Sequence, residues 1–297
     1  MNLHQLFLII KLGRLHFLAA GFLTYLMGVL LAVTLFNVFS WDRFILGYAV
    51  LLPAHLMINY SNDYFDVEVD QYSRPTQFSG GSGVLLKYPE LKNFTLYFSI
   101  SMLAISLTLG LIFSYFYNSL EFLILTVAGN LLGWFYTAPP LKLSYRGWGE
   151  LATIFSGFLI PGLGFAAISG VINYQFLIFS VPIMLFYVLF ILIVEVPDRN
   201  ADKIGGKNTF LVRFGLTSAS VLMVVASSLA TISFLVIPRD LFYPLNLSIL
   251  ALLSIIPLIS AILTLVYRRS SLNKSVSRNV NALVLFVAMV NVYIFII

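Results

Sequence analysis

The nine residues Asn62-Asp63-Tyr64-Phe65-Asp66-Val67-Glu68-Val69-Asp70 close an apolar run that begins near position 44. On a helix, Asn62, Asp66 and Asp70 recur every four residues and therefore share one stripe. A second acid-bearing segment, Glu195-Val196-Pro197-Asp198-Arg199-Asn200-Ala201-Asp202, ends a later apolar run, and its Asp198 and Asp202 repeat the spacing. Carboxylates gathered at the C-terminal end of a helix face one another and the negative end of the helix dipole, an arrangement that calls for a cation. A solvated acidic helix end is the plain alternative for one such cluster. Two clusters in one apolar chain favour the cation.

The rest of the chain gives these segments their setting. Of 297 residues, 60% are hydrophobic and 10% charged, with a mean hydropathy of +0.96; a soluble domain carries about 25% charged residues. The chain reads as one polytopic membrane unit over residues 1–297. The absence of Cys excludes disulfides, zinc-thiolate centres and thiol nucleophiles. His4, His16 and His55 are too scattered to suggest a metal site and read as packed or interfacial side chains. The start Met1-Asn2-Leu3-His4-Gln5 lacks the basic region and cleavage site of a signal peptide, so the first apolar helix is expected to be retained.

A span needs about 20 mostly apolar residues, and nine such runs lie near 16–38, 44–66, 93–116, 120–137, 149–171, 175–197, 215–237, 243–267 and 278–297. Residues 1–12 are predicted to form a short amphipathic helix in the membrane interface. The expectation is an all-α bundle of nine transmembrane helices around a central cavity. With that topology, 15 of the 17 Lys and Arg residues fall on one side, leaving Arg43 and Arg239 on the other. The positive-inside rule makes the basic side cytoplasmic. Both acid clusters emerge there, so they can share one site facing the cytoplasm from the cell membrane. The links on that side, 67–92, 138–148 and 198–214, are also the long ones, as functional loops are.

Oxygen-rich sites of this kind suit Mg²⁺, which is commonly held by one or two carboxylates together with substrate phosphate and water. Asn62, Asp66 and Asp70 on one helix with Asp198 and Asp202 on another are suited to two Mg²⁺ ions clamping a diphosphate. Arg14, Arg74, Lys142, Arg146, Lys203 and Lys207 lie on the same face to bind its oxygens, and Tyr136 can donate a hydrogen bond. Each of these cations is also explained by the topology rule alone. An apolar bundle rich in Phe and Tyr beneath a diphosphate suggests a prenyl diphosphate, whose allylic cation π-faces stabilise. The partners expected are thus a prenyl diphosphate and the lipid bilayer, and not nucleic acid.

The pair Asn62-Asp63-x-x-Asp66-x-x-x-Asp70 and Asp198-x-x-x-Asp202-x-x-x-Gly206-Lys207-x-Thr209-x-x-Val212-Arg213-x-Gly215 resembles the signature of the UbiA superfamily of intramembrane prenyltransferases. The resemblance covers nearly the whole chain. The stretch Tyr136-Thr137-Ala138-Pro139-Pro140-Leu141-Lys142-Leu143-Ser144-Tyr145-Arg146-Gly147-Trp148-Gly149-Glu150 is similar to the branch that prenylates 1,4-dihydroxy-2-naphthoate on the way to menaquinone. So is the glycine-rich loop Arg74-Pro75-Thr76-Gln77-Phe78-Ser79-Gly80-Gly81-Ser82-Gly83. One departure is Glu195, three positions before Asp198, where that branch often has Asn.

The resemblance implies that Asn62, Asp66, Asp70, Asp198 and Asp202 hold Mg²⁺ and diphosphate, with Asp66 and Asp198 central to catalysis. It also implies that Arg14, Tyr136, Lys142 and Lys203 stabilise the departing anion. Lys142, following Pro139-Pro140, is expected to aim its ammonium back over the site. Asp63 and Glu195 are candidates for taking the acceptor's proton, or for hydrogen-bonding behind the ligands. Transfer to a glycerol-phosphate lipid precursor is the alternative within the enzyme class. A cation-coupled transporter is the alternative outside it, disfavoured because transporter acids sit near the bilayer midplane.

Overall fold

The computed structural model describes residues 3–74, 76, 78, 80–267 and 272–297. Arg268 and Arg269 of the basic tally lie outside them, as do Pro75, Gln77 and Ser79 of the glycine-rich loop and the His4 side chain. The chain forms α1 (Leu3–Leu12), α2 (Leu15–Phe36), α3 (Trp41–Asp70), α4 (Val84–Lys87), α5 (Lys92–Tyr117), α6 (Leu120–Phe135), α7 (Gly149–Ser169) and α8 (Tyr174–Val194). It continues with α9 (Arg199–Ile204), α10 (Phe210–Val236), α11 (Leu247–Val266) and α12 (Leu272–Ile296). Eight of these helices are long and apolar enough to cross a membrane. The expected fourth span is α6, apolar but only 16 residues long; at 1.5 Å per residue it reaches about 24 Å. The protein is an all-α, multi-pass membrane protein.

Polar residues stop and start the helices at the end opposite the acids. Ser40, Ser119, Asn173 and Asn246 cap α3, α6, α8 and α11, each accepting a backbone N–H through its side-chain oxygen. Hydrogen bonds from Ser119 to the Gly170 carbonyl, from Arg43 to the Ile168 carbonyl and from Gln175 to the Leu241 carbonyl tie these short links together. Between the ends, the core is aliphatic and aromatic, with Tyr25, Phe113, Phe122, Phe165, Phe176 and Phe234 fully buried. In a bilayer such packing depends on how closely helices approach, since lipid tails are as apolar as the core. Helices α2 and α7 approach closely: a Cβ at Gly28 would stand 1.8 Å from the Pro161 carbonyl oxygen, and one at Gly164 would stand 2.1 Å from that of Tyr25.

The N-terminal helix is amphipathic as expected. Leu8 and Leu12 are buried with Tyr60, Val84 and Leu85, while Phe7 and Ile10 face outward. The Tyr60 hydroxyl donates to the Ile9 carbonyl at 2.7 Å, and the Asn59 amide donates to that of Gly13 at 2.7 Å. These two bonds fix the chain just before Arg14 against α3.

One expectation about the acids needs correction. Asn62, Asp66 and Asp70 do sit in the last turns of α3, but α8 stops at Val194, before Asp198 and Asp202. Pro197 has no N–H and disfavours helix in the residue before it. The chain therefore turns through 195–198, and Asp198 is the residue preceding a separate short helix, α9. The Asp202 N–H to Asp198 carbonyl bond of 2.8 Å keeps the two acids one helical turn apart.

Candidate active site

A cavity of about 620 Å³ runs down from these acids between α2, α3, α6, α7, α8 and α12. Its upper wall carries Asn62, Asp66, Asp70, Asp198, Asp202, Arg14, Tyr136 and Lys207. Its lower wall is apolar, with Ile160, Ile183, Phe186, Phe190, Val284 and Phe286. From Glu195 to Ile183 along α8 is a drop of about 18 Å at 1.5 Å per residue. The cavity is thus polar at one end and mainly apolar below it.

The polar end is joined by hydrogen bonds from three loops. Asp66 accepts from the Tyr145 hydroxyl at 2.8 Å and from the Lys207 ammonium at 2.9 Å. That ammonium lies 3.5 Å from Asp202, which links α3 to the region after α9. Lys207 can return to α9 because Gly206 adopts φ +76° just past its end, the left-handed conformation that terminates helices. Asp198 accepts from the Gly80 N–H at 2.9 Å and from the Ser73 hydroxyl at 3.1 Å. Ser73 and Gly80 are thereby held against the acids. Gly81, at φ +66°, passes so close to Asp70 that a Cβ there would lie 2.0 Å from its Oδ2.

Electrostatics follow from burial. Asp202 is pushed up to about 6 by burial, with Lys207 opposing and Asp198 adding to the rise. Asp198 is raised, first by burial, against the hydrogen bonds from Gly80 and Ser73. Burial works against the charge of Lys207, but Asp66 and Asp202 outweigh it and hold its pKa well above the ordinary lysine value. Glu195, 7% exposed, is raised well above the carboxylate range by burial and then by Glu150 and Asp202.

The sequence-predicted residues divide into two groups. Asn62, whose Oδ1 accepts from Thr137 at 3.0 Å, lines the cavity with Asp66, Asp70, Asp198, Asp202, Arg14, Tyr136 and Lys207. Arg74, Lys142, Arg146 and Lys203 are exposed and do not line it. Lys142 differs from expectation because the 136–148 loop folds back on α6, with the N–H groups of Leu143 and Ser144 donating to the Phe135 and Tyr136 carbonyls. This turns Tyr145 inward and leaves the Lys142 ammonium over the Tyr145 ring, 5.1 Å from its centroid. Arg146 is spent on the Pro140 carbonyl at 2.9 Å. Asp63, a candidate proton acceptor, does not line the cavity: it is buried beneath Arg14, whose guanidinium lies 2.5 Å away, and accepts the Ser82 N–H at 3.2 Å. It positions Arg14 and the glycine-rich loop.

Tyr145, which bonds Asp66, and His16 and His55, which line the cavity, have no functional role in the sequence reading. Tyr145 lay within a quoted stretch without an assigned role. His55 was set aside as scattered, yet it lines the cavity in the space left by Gly21, where a Cβ would stand 1.9 Å from the imidazole. Among the described residues, no three His, Asp or Glu side chains close into a ready-made ion cage. The donors are nonetheless all oxygen and lie on two facing elements. That set fits Mg²⁺, which is typically completed by water and substrate phosphate rather than enclosed by protein.

The profile of the UbiA prenyltransferase family matches residues 21–290. The chain belongs to this family. It is a membrane prenyltransferase. Among its relatives is the 1,4-dihydroxy-2-naphthoate octaprenyltransferase of Bacillus subtilis (strain 168), 25% identical over 226 residues, which cover 75% of this chain and 70% of the relative. A UbiA homolog from Archaeoglobus fulgidus, solved bound to GPP and Mg²⁺, superposes with a TM-score of 0.68 at 16% identity, covering 98% of this chain and 100% of that one. A structure of digeranylgeranylglyceryl phosphate synthase aligns with a TM-score of 0.65 at 19% identity, over 97% of this chain and 99% of the other. At these identities the structural likeness establishes the fold of this prenyltransferase, in agreement with the all-α bundle.

Proposed function

We propose that this prenyltransferase moves a prenyl chain from a prenyl diphosphate to a small aromatic, quinone-precursor acceptor, in a Mg²⁺-dependent reaction at the cytoplasmic face of the cell membrane. The observation that carries the reading is a single cavity in which an oxygen- and cation-lined end sits directly above an apolar shaft. An amphiphile with a diphosphate head and an isoprenoid tail matches both parts. The naphthoate-transferring relative supports an aromatic acceptor, and the basic residues on the side of the acids support the orientation.

In this reading the carbon–oxygen bond of the diphosphate ester breaks with its electron pair leaving on oxygen, an electron-rich ring carbon of the acceptor bonds to the freed allylic carbon, and that ring carbon then gives up its proton to an oxygen of the released diphosphate. Lys207 and Arg14 meet the charge that grows on the departing oxygens, where fixed cations in a dry site are most effective. Asp63 holds Arg14 in place, and Tyr145 and Lys207 together orient Asp66. Phe186, Phe190 and Phe286 line the shaft and offer π-faces to positive charge on the chain. Gly80 and Gly81 pack against Asp198 and Asp70 and limit access of water there, which would otherwise capture the cation. Mg²⁺, held by Asp66, Asp70, Asp198 and Asp202 with Asn62 beside them, supplies Lewis-acid neutralisation of the diphosphate when bound.

The test offers purified protein a labelled prenyl diphosphate with dihydroxynaphthoate, hydroxybenzoate and glycerol-phosphate acceptors in parallel. A labelled aromatic product is expected. Transfer to the glycerol-phosphate acceptor alone would replace this reading with the lipid-ether one. Reporters fused in the 198–214 loop should read as cytoplasmic, and external labelling there would reverse the orientation.

A further inference from the structure

Glu195 stands apart from the acids already given a role. It follows the last residue of α8, is 7% exposed and lines the cavity. Its Oε2 is buried and, among the described residues, has no hydrogen-bond partner. The obvious cation is committed elsewhere, since Lys207 is shared by Asp66 and Asp202. Buried polar atoms in folded proteins are nearly always satisfied, so a carboxyl that lines a cavity while one of its oxygens lacks a partner marks where an occupant can supply the missing bond.

The position of the residue selects the occupant. Glu195 is level with the acids at the top of the shaft, while Phe190, Phe186 and Ile183 descend below it on the same helix. The isoprenoid tail has no polar group to offer, and the diphosphate already has the cations Arg14 and Lys207 beside the other acids to meet it. What remains is the second substrate, and the group on it must bond a carboxyl oxygen. A hydroxyl does so whichever protonation state the glutamate holds, because it both donates and accepts; a carboxylate has no proton to give. Tyr136, Ser144, Thr153 and Ser156 add hydroxyls to the cavity wall. They give an aromatic ring a polar edge to register against.

Resting on the aromatic-acceptor reading above, we infer that Glu195 is the specificity-determining residue for the acceptor, its carboxyl hydrogen-bonding a ring hydroxyl. A site built to bond a hydroxyl rejects the analogue that lacks it far more strongly than an apolar pocket rejects a change of size.

The experiment compares a hydroxylated naphthalene acceptor with its mono-O-methyl ethers, which keep the ring electron-rich but remove the donor. It uses wild type, Glu195→Leu and Glu195→Gln in detergent or lipid nanodiscs. In wild type one of the ethers should lose about 10²-fold or more in kcat/KM. Glu195→Leu should lose a similar factor on the free hydroxyl and little on that ether, so the two acceptors become equal within about threefold, and Glu195→Gln should restore much of the discrimination. The KM for prenyl diphosphate and the Mg²⁺ half-saturation should hold within about threefold in both variants. Equal use of hydroxyl and ether by wild type overturns the inference without needing any variant to fold. So does a Glu195→Leu defect confined to prenyl diphosphate or Mg²⁺, which would assign the residue to the diphosphate site while leaving the aromatic reading intact. If wild type prenylates no arene but does prenylate the glycerol-phosphate acceptor, the aromatic reading itself falls, and this inference with it.

Discussion

Replacing Lys207 by Met keeps the unbranched stem of the side chain to within one atom and removes its charge, which isolates what the ammonium does. In the structure that ammonium lies 2.9 Å from Asp66 and 3.5 Å from Asp202, with all three side chains largely buried. At an effective dielectric of about 20, the two attractions are each about 5 to 6 kcal/mol before desolvation is subtracted. Desolvation offsets most of that, and breaking a buried pair from one side costs about 3 to 5 kcal/mol because the remaining charge is stranded. Two carboxylates would be stranded here, so Lys207→Met should lower the thermal midpoint clearly in the absence of Mg²⁺. Added Mg²⁺ should recover part of it by taking over as counter-charge. In turnover, loss of one charge-stabilising donor should reduce kcat by about 10² to 10³. A smaller change is expected in KM for the prenyl diphosphate, because the negative charge on the departing group is greatest in the transition state. The assay is initial-rate transfer of labelled prenyl group, with Lys142→Ala measured beside it. The exposed Lys142 should cost less than about threefold, as surface charges usually do. A folded Lys207→Met enzyme with near-normal kcat, or a Lys142→Ala defect larger than that of Lys207→Met, refutes this assignment and returns the anion clamp to Lys142.

Three further outcomes follow from the site. Chelation should abolish turnover reversibly, and Asp66→Ala and Asp198→Ala should each remove most of it; full activity in excess chelator would contradict the oxygen-ligand reading. Gly81→Ala should lose at least about tenfold in activity and about 1 kcal/mol of stability, since it adds left-handed strain and drives a methyl into Asp70. Gly206→Ala carries the same backbone strain at φ +76° with nothing within 4 Å of the added Cβ, so an equal loss there would show that strain alone is responsible. Glu195→Gln should stabilise the metal-free protein at pH 8 and not at pH 5. The raised pKa means that the stability contributed by the neutral carboxyl is full below the unfolded value, about 4.3, and is lost as pH rises through the folded one. A wild-type minus variant difference in melting temperature that does not change with pH would remove the basis for this sign.

The bundle and the acid stripe of α3 were legible because apolar run length and four-residue spacing are local properties of the chain. Seven of the site residues proposed from sequence reached the cavity for the same reason: helix periodicity and position near a span end determine where Asn62, Asp66, Asp70, Asp198, Asp202, Arg14 and Lys207 fall. Tyr136, at the end of α6, and Glu195, just past α8, bring the number to nine. What sequence did not reveal was how the loops close. Whether Lys142 or Tyr145 points inward depends on which carbonyls of α6 the loop bonds, and nothing in the residue types distinguishes the two. Asp63 looked like a free acid from its neighbours in sequence, whereas its partners Arg14 and Ser82 are 49 and 19 positions away. The break between α8 and α9 was signalled by Pro197, but the regular acid spacing masked it.

The contact between α2 and α7 limits how this protein can change over evolutionary time. At both Gly28 and Gly164 the space for a side chain is filled by a backbone carbonyl of the other helix, and no rotamer change on either side can vacate it. Any larger residue would have to be accompanied by a shift of two whole helices, each of which walls the cavity. Drift at these positions is therefore closed one substitution at a time. A lineage that acquires a new substrate must do so through side chains projecting into the shaft or through the loops above it, while the α2–α7 frame that fixes the cavity's width on that side stays as it is.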